Sequence, residues 1–165
     1  MKKLMFMFAL VALFATNSMA QAPWKIIDME YVTKHGGNCQ YDDETCTATF
    51  KNSYDRWIDL PGLSGDLTGH TKLEATILKS NVILTFNIRY KDADGKTQQV
   101  KAQTFYGQMG KEITSKKTLK VDLTNKGKIG DDVLKNVVGV RVSMAKQAAG
   151  AEEPWQVQFG DVVVK

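Results

Sequence analysis

A run of ten residues, 82–91, most constrains the fold of this 165-residue chain. Large apolar residues occupy every second position along it, which is the period-two pattern of a half-buried β-strand. The tetrapeptide Asp92-Ala93-Asp94-Gly95 follows, and an Asp-Gly pair between two extended runs predicts a hairpin turn. We therefore expect a second strand over residues 96–105, paired antiparallel with the first.

Seven further segments are predicted to be strands, because β-branched and aromatic residues recur between short loops rich in Gly, Asn, Asp and Ser. The segments are 24–32, 45–51, 57–60, 71–78, 118–123, 137–144 and 155–164. Together with the hairpin they give about nine strands, which is typical of an all-β, antiparallel β-sandwich. Only residues 130–136 suggest a helix, of about one turn.

The last predicted strand changes phase within itself. Its apolar residues before Gly160 share one face, whereas Val162 and Val164 belong to the opposite phase. A β-bulge at Gly160 would turn both halves toward the core and would redirect the side chain of Asp161.

The first twenty residues have the pattern of a secretory signal peptide. Two lysines follow Met1, an apolar run covers residues 4–15, and Ser18-Met19-Ala20 ends the segment with small residues at the positions that a signal peptidase recognises. The apolar run is too short for a transmembrane span. We expect cleavage after Ala20, a single mature domain of residues 21–165 and a secreted or periplasmic location.

Charge and motifs narrow the possible functions. The formal net charge of +4 falls to +2 without Lys2 and Lys3, since 20 basic and 18 acidic residues remain, and the basic residues are scattered rather than grouped. Nucleic acid is therefore not expected as a partner. The chain has two histidines and no P-loop, Rossmann glycine pattern or nucleophile elbow. We expect a protein that is not an enzyme, requires no cofactor and has no mature membrane span.

The two cysteines, Cys39 and Cys46, enclose six residues. In an oxidising, exported compartment an isolated pair at this spacing predicts a disulfide. A zinc site that adds His35 and His70 is the alternative, but its spacing matches no common zinc pattern. We therefore predict a Cys39–Cys46 disulfide that closes a short loop.

Polar side chains on the predicted strand faces suggest a binding surface. Amide and guanidinium groups on a rigid sheet can hydrogen-bond sugar hydroxyls with fixed geometry. The candidate ligand-binding residues on and after the hairpin are Asn87, Arg89, Gln103 and Tyr106. Arg89 is the preferred anchor, because its planar fork can span two adjacent hydroxyls. Any exported sandwich also needs a polar exterior, so the same residues are equally typical of a plain solvated face.

Similar polar faces recur on later strands, with Arg141 and Ser143 on one and Gln156 and Gln158 on another. Aromatic rings offer a flat apolar surface against which a pyranose ring can pack. The candidate rings are Tyr54, Trp57, Tyr106 and Trp155.

Several stretches resemble one known family. They are WIDL at 57–60, GDLTGHTKL at 65–73, LKVDLT at 119–124, VLKNVVGVRV at 133–142 and WQVQFGDVVV at 155–164. These stretches resemble the galactose-binding-like jelly rolls that serve as non-catalytic carbohydrate-binding modules of secreted bacterial glycanases. The resemblance covers nearly all of the mature chain and implies a jelly-roll sandwich.

The resemblance also implies a function and a metal. The leading hypothesis is a secreted module that recognises a poly- or oligosaccharide by hydrogen bonding and ring stacking; the alternative is a structural or protein-interaction sandwich at the cell surface or in the periplasm. Modules of this family often hold a structural calcium ion between their first and last strands, which points to Asp28, Glu30 and Asp161 as ligands. The alternative is that Asp28 and Glu30 are ordinary outward residues of an alternating strand.

Overall fold

The computed structural model describes residues 25–26, 34–51 and 54–165. These residues form two antiparallel sheets, so the predicted all-β sandwich is confirmed. Eleven strands are described instead of about nine, numbered here in chain order: β1 Lys25–Ile26, β2 Lys34–His35, β3 Cys39–Asp42, β4 Thr47–Phe50, β5 Trp57–Leu60, β6 Lys72–Ser80, β7 Val82–Lys91, β8 Thr97–Thr104, β9 Lys117–Asp122, β10 Val137–Gln147 and β11 Trp155–Val164. The described residues also contain one short α-helix, α1 at Asp131–Leu134, within the predicted segment, and a 3-10 helical turn at Pro61–Leu63.

The two sheets have different strand orders. The six-stranded sheet has the order β3-β4-β11-β6-β9, and β1 also pairs with β11. The five-stranded sheet has the order β2-β5-β10-β7-β8. The central strands, β11 in one sheet and β10 in the other, thus come from the C-terminal part of the chain. No helix among the described residues is long and apolar enough to cross a membrane.

The predicted hairpin joins β7 and β8 around the Asp-Gly turn. Gly95 has a φ of 74°, a left-handed conformation that glycine adopts without steric strain. The carboxylate of Asp92 accepts hydrogen bonds from Gln98 Nε2 and from the main-chain N–H groups of Asp94 and Lys96. These bonds hold the pKa of Asp92 below its ordinary value, the one from Gln98 most strongly. The turn is therefore fixed by side-chain as well as backbone contacts.

The core lies between the two sheets, and β7 contributes the predicted inward residues. Val82, Leu84, Phe86 and Ile88 are fully or almost fully buried. The neighbouring Ile83 is buried as well, where the sequence pattern placed it on the outer face. Ile83 lies at the end of the sheet, where the loop after β10 lies beside it, so the outer face is covered there.

The predicted bulge in β11 is also present. Phe159 pairs with Ile77 of β6, and Val162 pairs with Ala75, so three steps along β11 match two along β6. Val162 and Phe159 are consequently both buried, whereas Asp161 is exposed. A Cβ atom on Gly160 would lie 3.0 Å from Thr76 Cγ2, which explains why the smallest residue occupies the bulge.

The predicted disulfide is not present in this structure, in which both cysteines are thiols. Cys39 pairs with Phe50 at one end of the β3–β4 hairpin, while Cys46 lies beyond the other end, where Asp42 pairs with Thr47. At a rise of about 3.3 Å per residue, the two Cα atoms are on the order of 10 Å apart along the hairpin. A disulfide tolerates a Cα separation of at most about 7 Å.

The surroundings of the two thiols also differ. Cys39 is buried in the core, and this burial raises its pKa to about 12. Cys46 lies in the turn and shares a side-chain hydrogen bond with Tyr41. Because the thiolate is the reactive form of cysteine, Cys39 is expected to be chemically inert in the folded protein.

We predict that the folded protein carries two thiols of unequal reactivity. Iodoacetamide should modify both cysteines in denaturant but should modify Cys39 far more slowly than Cys46 under native conditions, because the buried thiol stays protonated. Mass spectrometry of tryptic peptides measures both rates. An intact mass lower than that of the reduced chain by two hydrogens would show that the hairpin register described here is incorrect.

Candidate functional site

The outer face of the five-stranded sheet carries a buried carboxylate held by two arginines. Asp59 on β5 is only 4% exposed. Arg141 on β10 donates from Nε to Asp59 Oδ1 at 2.7 Å and from Nη2 to Oδ2 at 2.9 Å. Arg89 on β7 donates from Nη1 to Oδ2 at 2.6 Å. We call these three residues the Asp59 cluster. Its charges sum to +1, and its charge-assisted hydrogen bonds are the strong kind in proteins.

The strand register explains how residues so distant in sequence meet. Asp59 pairs with Arg141, and Arg141 pairs with Asn87, so one row of outward positions crosses three neighbouring strands. Trp57 lies two residues before Asp59 on the same face, and the Arg141 guanidinium carbon lies 3.5 Å from the centroid of its ring. This stacking on an aromatic face further fixes the guanidinium.

The Asp59 cluster changes the interpretation of two predicted ligand-binding residues. Arg89 has a carboxylate partner within the protein, and its side chain is only 27% exposed. Asn87 lies on the outer face by register, yet it is 6% exposed. Both residues therefore present little surface to a ligand. The expectation that they point into solvent is corrected: Asn87 is buried, and the Arg89 guanidinium is bound to Asp59.

Gln103 is placed at the edge of the sandwich. Its Oε1 accepts a hydrogen bond from the main-chain N–H of Asp122 on β9, at 2.9 Å. Asn125 Nδ2 donates to the main-chain oxygen of Lys101 close by. These bonds join the edge strand of one sheet to that of the other, so Gln103 helps to close the sandwich.

Tyr106 lies apart from the other three predicted residues, at the end of the sheet where β8 ends and β7 begins. It is 58% exposed and lines a cavity of about 390 Å³, which we call the Tyr106 pocket. Lys146 Nζ lies 5.7 Å from the centroid of the Tyr106 ring. The other lining residues are Ile83, Gly110, Gln147, Ala148, Ala149, Gly150 and Ala151.

The chemistry of the Tyr106 pocket is simple. Its floor is built mainly of glycine and alanine, so a ligand can approach the backbone closely. A phenol ring, an ammonium group and one amide are the polar elements. The volume falls within the range of small-molecule sites in proteins. Among Asn87, Arg89, Gln103 and Tyr106, Tyr106 is thus the one that lines this pocket.

The remaining aromatic candidates are distributed differently. Tyr54 is 93% exposed, Trp57 is partly covered by Arg141, and Trp155 is buried in the core.

The sequence did not predict the two polar residues that line the pocket beside Tyr106, which are Lys146 and Gln147. They lie at the end of β10, far along the chain from Tyr106. No local sequence signal connects these two segments before the strand pairing is known.

Only Asp161 of the predicted calcium ligands lies among the described residues; Asp28 and Glu30 fall outside them. Asp161 is exposed on the bulge of β11, beside the point where β1 pairs with β11 through Ile26 and Val162. In the described part of the chain, no group of three or more His, Cys, Asp or Glu side chains is arranged to hold a metal ion. A calcium ion at Asp161 therefore remains a prediction.

Comparison with known proteins supports the fold. No protein-family model and no curated protein matches this chain. A solved family 30 carbohydrate-binding module of a cellulosomal cellulase from Clostridium thermocellum is similar, with 18% identity and a TM-score of 0.52, over 87% of this chain and 90% of that chain. A second structure of a family 30 carbohydrate-binding module has 18% identity and a TM-score of 0.53, over 87% of this chain and 83% of that chain.

These similarities show that the chain shares the overall sandwich fold of the two solved structures. At 18% identity they show the fold alone. The binding properties of this chain therefore depend on its own side chains.

We predict that the Asp59 cluster contributes to stability. Arg89→Ala should lower the free energy of unfolding by about 1–2 kcal/mol, since Asp59 keeps Arg141 as a partner. Removing both arginines should lower it by about 3–5 kcal/mol, because a buried carboxylate then has no cationic partner. Urea denaturation measures both values.

The exposed Gln99 on β8 supplies the control, since Gln99→Ala should change the free energy of unfolding by no more than about 0.5 kcal/mol. If Arg89→Ala is as harmless as this control, Arg89 is a surface residue and its bond to Asp59 does not contribute to stability.

Proposed function

We propose that this chain is a secreted, non-catalytic module that binds a glycan in the Tyr106 pocket. The observation that carries the proposal is the exposed ring of Tyr106 beside a cavity floored by small residues. The apolar face of a pyranose ring can pack against such an aromatic ring, and the hydroxyls at its edge need hydrogen-bond partners.

Lys146 and Gln147 supply those partners. The ammonium group of Lys146 has three donors, and the Gln147 amide offers both donors and an acceptor. Lys146 also lies near the ring of Tyr106, and this attraction between cation and ring favours a defined orientation of both side chains. A site of this composition can bind and orient a ligand.

The fold supports the same class of function. The two similar solved structures are named as carbohydrate-binding modules, and the likeness extends over most of the chain. The loops that form the Tyr106 pocket stand at one end of a rigid sandwich, where loops are free to vary in sequence while the sheets keep them in place.

Export and calcium binding belong to the proposal as well. We expect cleavage after Ala20, and N-terminal sequencing of protein recovered from the periplasm or medium should begin at Gln21. We expect a structural calcium ion to involve Asp161, so that a chelator lowers the melting temperature of the wild-type protein but not of Asp161→Ala. An equal melting temperature of the wild type with and without chelator would contradict the calcium prediction. A different N-terminus would contradict the predicted cleavage after Ala20.

We predict that Tyr106→Ala weakens glycan binding by tenfold or more, because it removes the stacking surface of the pocket. A glycan array identifies the ligand of the mature wild-type protein, and isothermal titration with that ligand gives the dissociation constants. The matched control is Tyr54→Ala, which removes another exposed tyrosine outside the pocket. Both variants should unfold within about 0.5 kcal/mol of the wild type.

Two results would count against the proposal. Equal affinities of the wild type and Tyr106→Ala would exclude this pocket as the site. Failure of the wild type to bind any glycan at millimolar concentration would favour the alternative function, a structural or protein-interaction sandwich.

A further inference from the structure

A second cavity lies on the opposite sheet from the Asp59 cluster. It has a volume of about 730 Å³ and crosses the outer face of the six-stranded sheet. We call it the sheet groove. Its lining residues are Asp42, Thr45, Thr47, Thr49, Lys79, Ser80, Asn81, Glu112, Ile113, Thr114, Gln156 and Gln158.

The floor of the sheet groove is formed by outward side chains of three adjacent strands. Gln156 of β11 pairs with Thr49 of β4, and Gln158 pairs with Thr47. On the other side, Gln158 pairs with Lys79 of β6. Hydroxyl, amide and ammonium groups therefore lie side by side on a hydrogen-bonded sheet, which holds them at fixed spacing.

The two amides of the floor are already oriented. Gln156 donates from Nε2 to Thr49 Oγ1 at 3.0 Å, and Gln158 donates from Nε2 to the main-chain oxygen of Thr45 at 3.0 Å. Each bond fixes the plane of the amide and so the position of its Oε1 acceptor. A ligand that binds these acceptors loses less side-chain entropy on binding than it would against mobile glutamines.

One wall of the groove is a loop attached to the sheet. Ile113 and Ser80 exchange main-chain hydrogen bonds of 2.9 and 2.7 Å, and the Ile113 side chain is buried. Glu112 and Thr114, on either side of this anchor, line the cavity with exposed side chains. The groove is thus a built depression with a polar floor and a fixed wall.

We propose that the sheet groove is a second binding site, specific for a neutral, polyhydroxylated ligand such as an uncharged oligosaccharide. The proposal rests on the proposed glycan-binding function but concerns a different surface and a different mode of recognition. Binding here depends on hydrogen bonds from hydroxyl and amide groups, whereas the Tyr106 pocket depends on an aromatic ring.

The composition of the groove argues against other ligands. An anionic chain would meet the carboxylates of Asp42 and Glu112 with only Lys79 as a cation in the lining, so like charges would oppose it. An apolar peptide would bury the polar floor without replacing its hydrogen bonds to water, which is unfavourable. A neutral chain of hydroxyl groups, each both donor and acceptor, matches the floor.

The two sites are neighbours and share no lining residue. The main-chain N–H of Ala148, in the Tyr106 pocket, donates to the oxygen of Asn81, in the sheet groove, at 2.8 Å. Backbone therefore separates the two cavities. Each site should bind a glycan independently of the other. A branched polysaccharide that occupies both sites at once would bind with higher avidity than one that occupies a single site.

The test compares four forms of the mature protein. They are the wild type, Tyr106→Ala, the double variant Gln156→Ala with Gln158→Ala, and the combination of all three substitutions. The probes are cellohexaose and mannohexaose as neutral chains and hexagalacturonate as an anionic chain. Gln99→Ala on the other sheet is the matched control for loss of an exposed glutamine. Thermal melting confirms that each variant is folded.

We expect Tyr106→Ala to keep measurable affinity for a neutral hexasaccharide. Adding Gln156→Ala and Gln158→Ala to Tyr106→Ala should weaken this residual affinity by tenfold or more. Adding Gln99→Ala to Tyr106→Ala instead should leave the residual affinity unchanged. In NMR spectra of Tyr106→Ala, the neutral probe should shift the amide signals of β4 and β11. This mapping needs no substitution in the groove. It therefore tests whether the neutral probe binds there even if the double variant does not fold.

The experiment distinguishes failure of the sheet-groove proposal from failure of the Tyr106-pocket proposal. If Tyr106→Ala binds none of the probes while the wild type binds, the groove proposal is wrong and the Tyr106 pocket stands. If the glutamine variant loses all binding while Tyr106→Ala binds normally, the groove is the main site and the Tyr106 pocket is wrong. Preference of the groove for hexagalacturonate would overturn the assignment of ligand class.

Discussion

The packing of the two sheets against each other determines where this protein can bind anything. The inner faces are filled by fully buried side chains such as Phe50, Phe86 and Leu119, and interiors of this density leave no room for a ligand. Recognition is therefore restricted to the outer faces and the loops. Every polar residue of functional interest lies where the alternation of a strand, or the end of a strand, places it outside this core.

The outer faces are not equally available. On the five-stranded sheet the Asp59 carboxylate, withdrawn from water, requires both neighbouring arginines, and Arg141 in turn lies on Trp57. The charged and hydrogen-bonding groups of these residues are thus paired with one another within the protein. On the six-stranded sheet the floor of the groove consists of small hydroxyls and short amides. The outward side chains of the five-stranded sheet are therefore paired with one another, whereas those of the six-stranded sheet leave a groove that a ligand can enter.

Sequence periodicity was sufficient for most of the fold, because it depends on local regularities. The β7–β8 hairpin follows from alternation and an Asp-Gly turn, and the β11 bulge follows from a change of phase around Gly160. Strand β3, with only four residues, is too short for such a pattern, so the sequence prediction of a Cys39–Cys46 disulfide did not take the β3–β4 pairing into account. Once β3 pairs with β4, the two cysteines lie at opposite ends of a hairpin.

The candidate sites were less predictable, because they depend on long-range pairing. In the sequence, Arg89 is an outward arginine with no evident partner. Its partner Asp59 lies thirty residues earlier, on β5, and only the strand order shows that β10 alone separates β5 from β7. Tyr106 was predicted as a rim residue from its position after a strand, which its local sequence shows. Lys146 and Gln147 beside it, and the row of threonines and glutamines across β4 and β11, required knowledge of which strands are neighbours.

The loop between β8 and β9 connects the two proposed sites physically. It contains Tyr106 near its start and Glu112 and Thr114 further on, so it contributes to both cavities. Two buried apolar side chains, Met109 and Ile113, anchor it to the core, and main-chain bonds from Met109 to Phe105 and between Ile113 and Ser80 hold it in place. A loop of this length would be costly to order for each ligand if it were mobile when free. Because core packing has already fixed it, both cavities keep their shape without a ligand, and the sequence of the loop can specify binding on either side of it without disturbing the sheets.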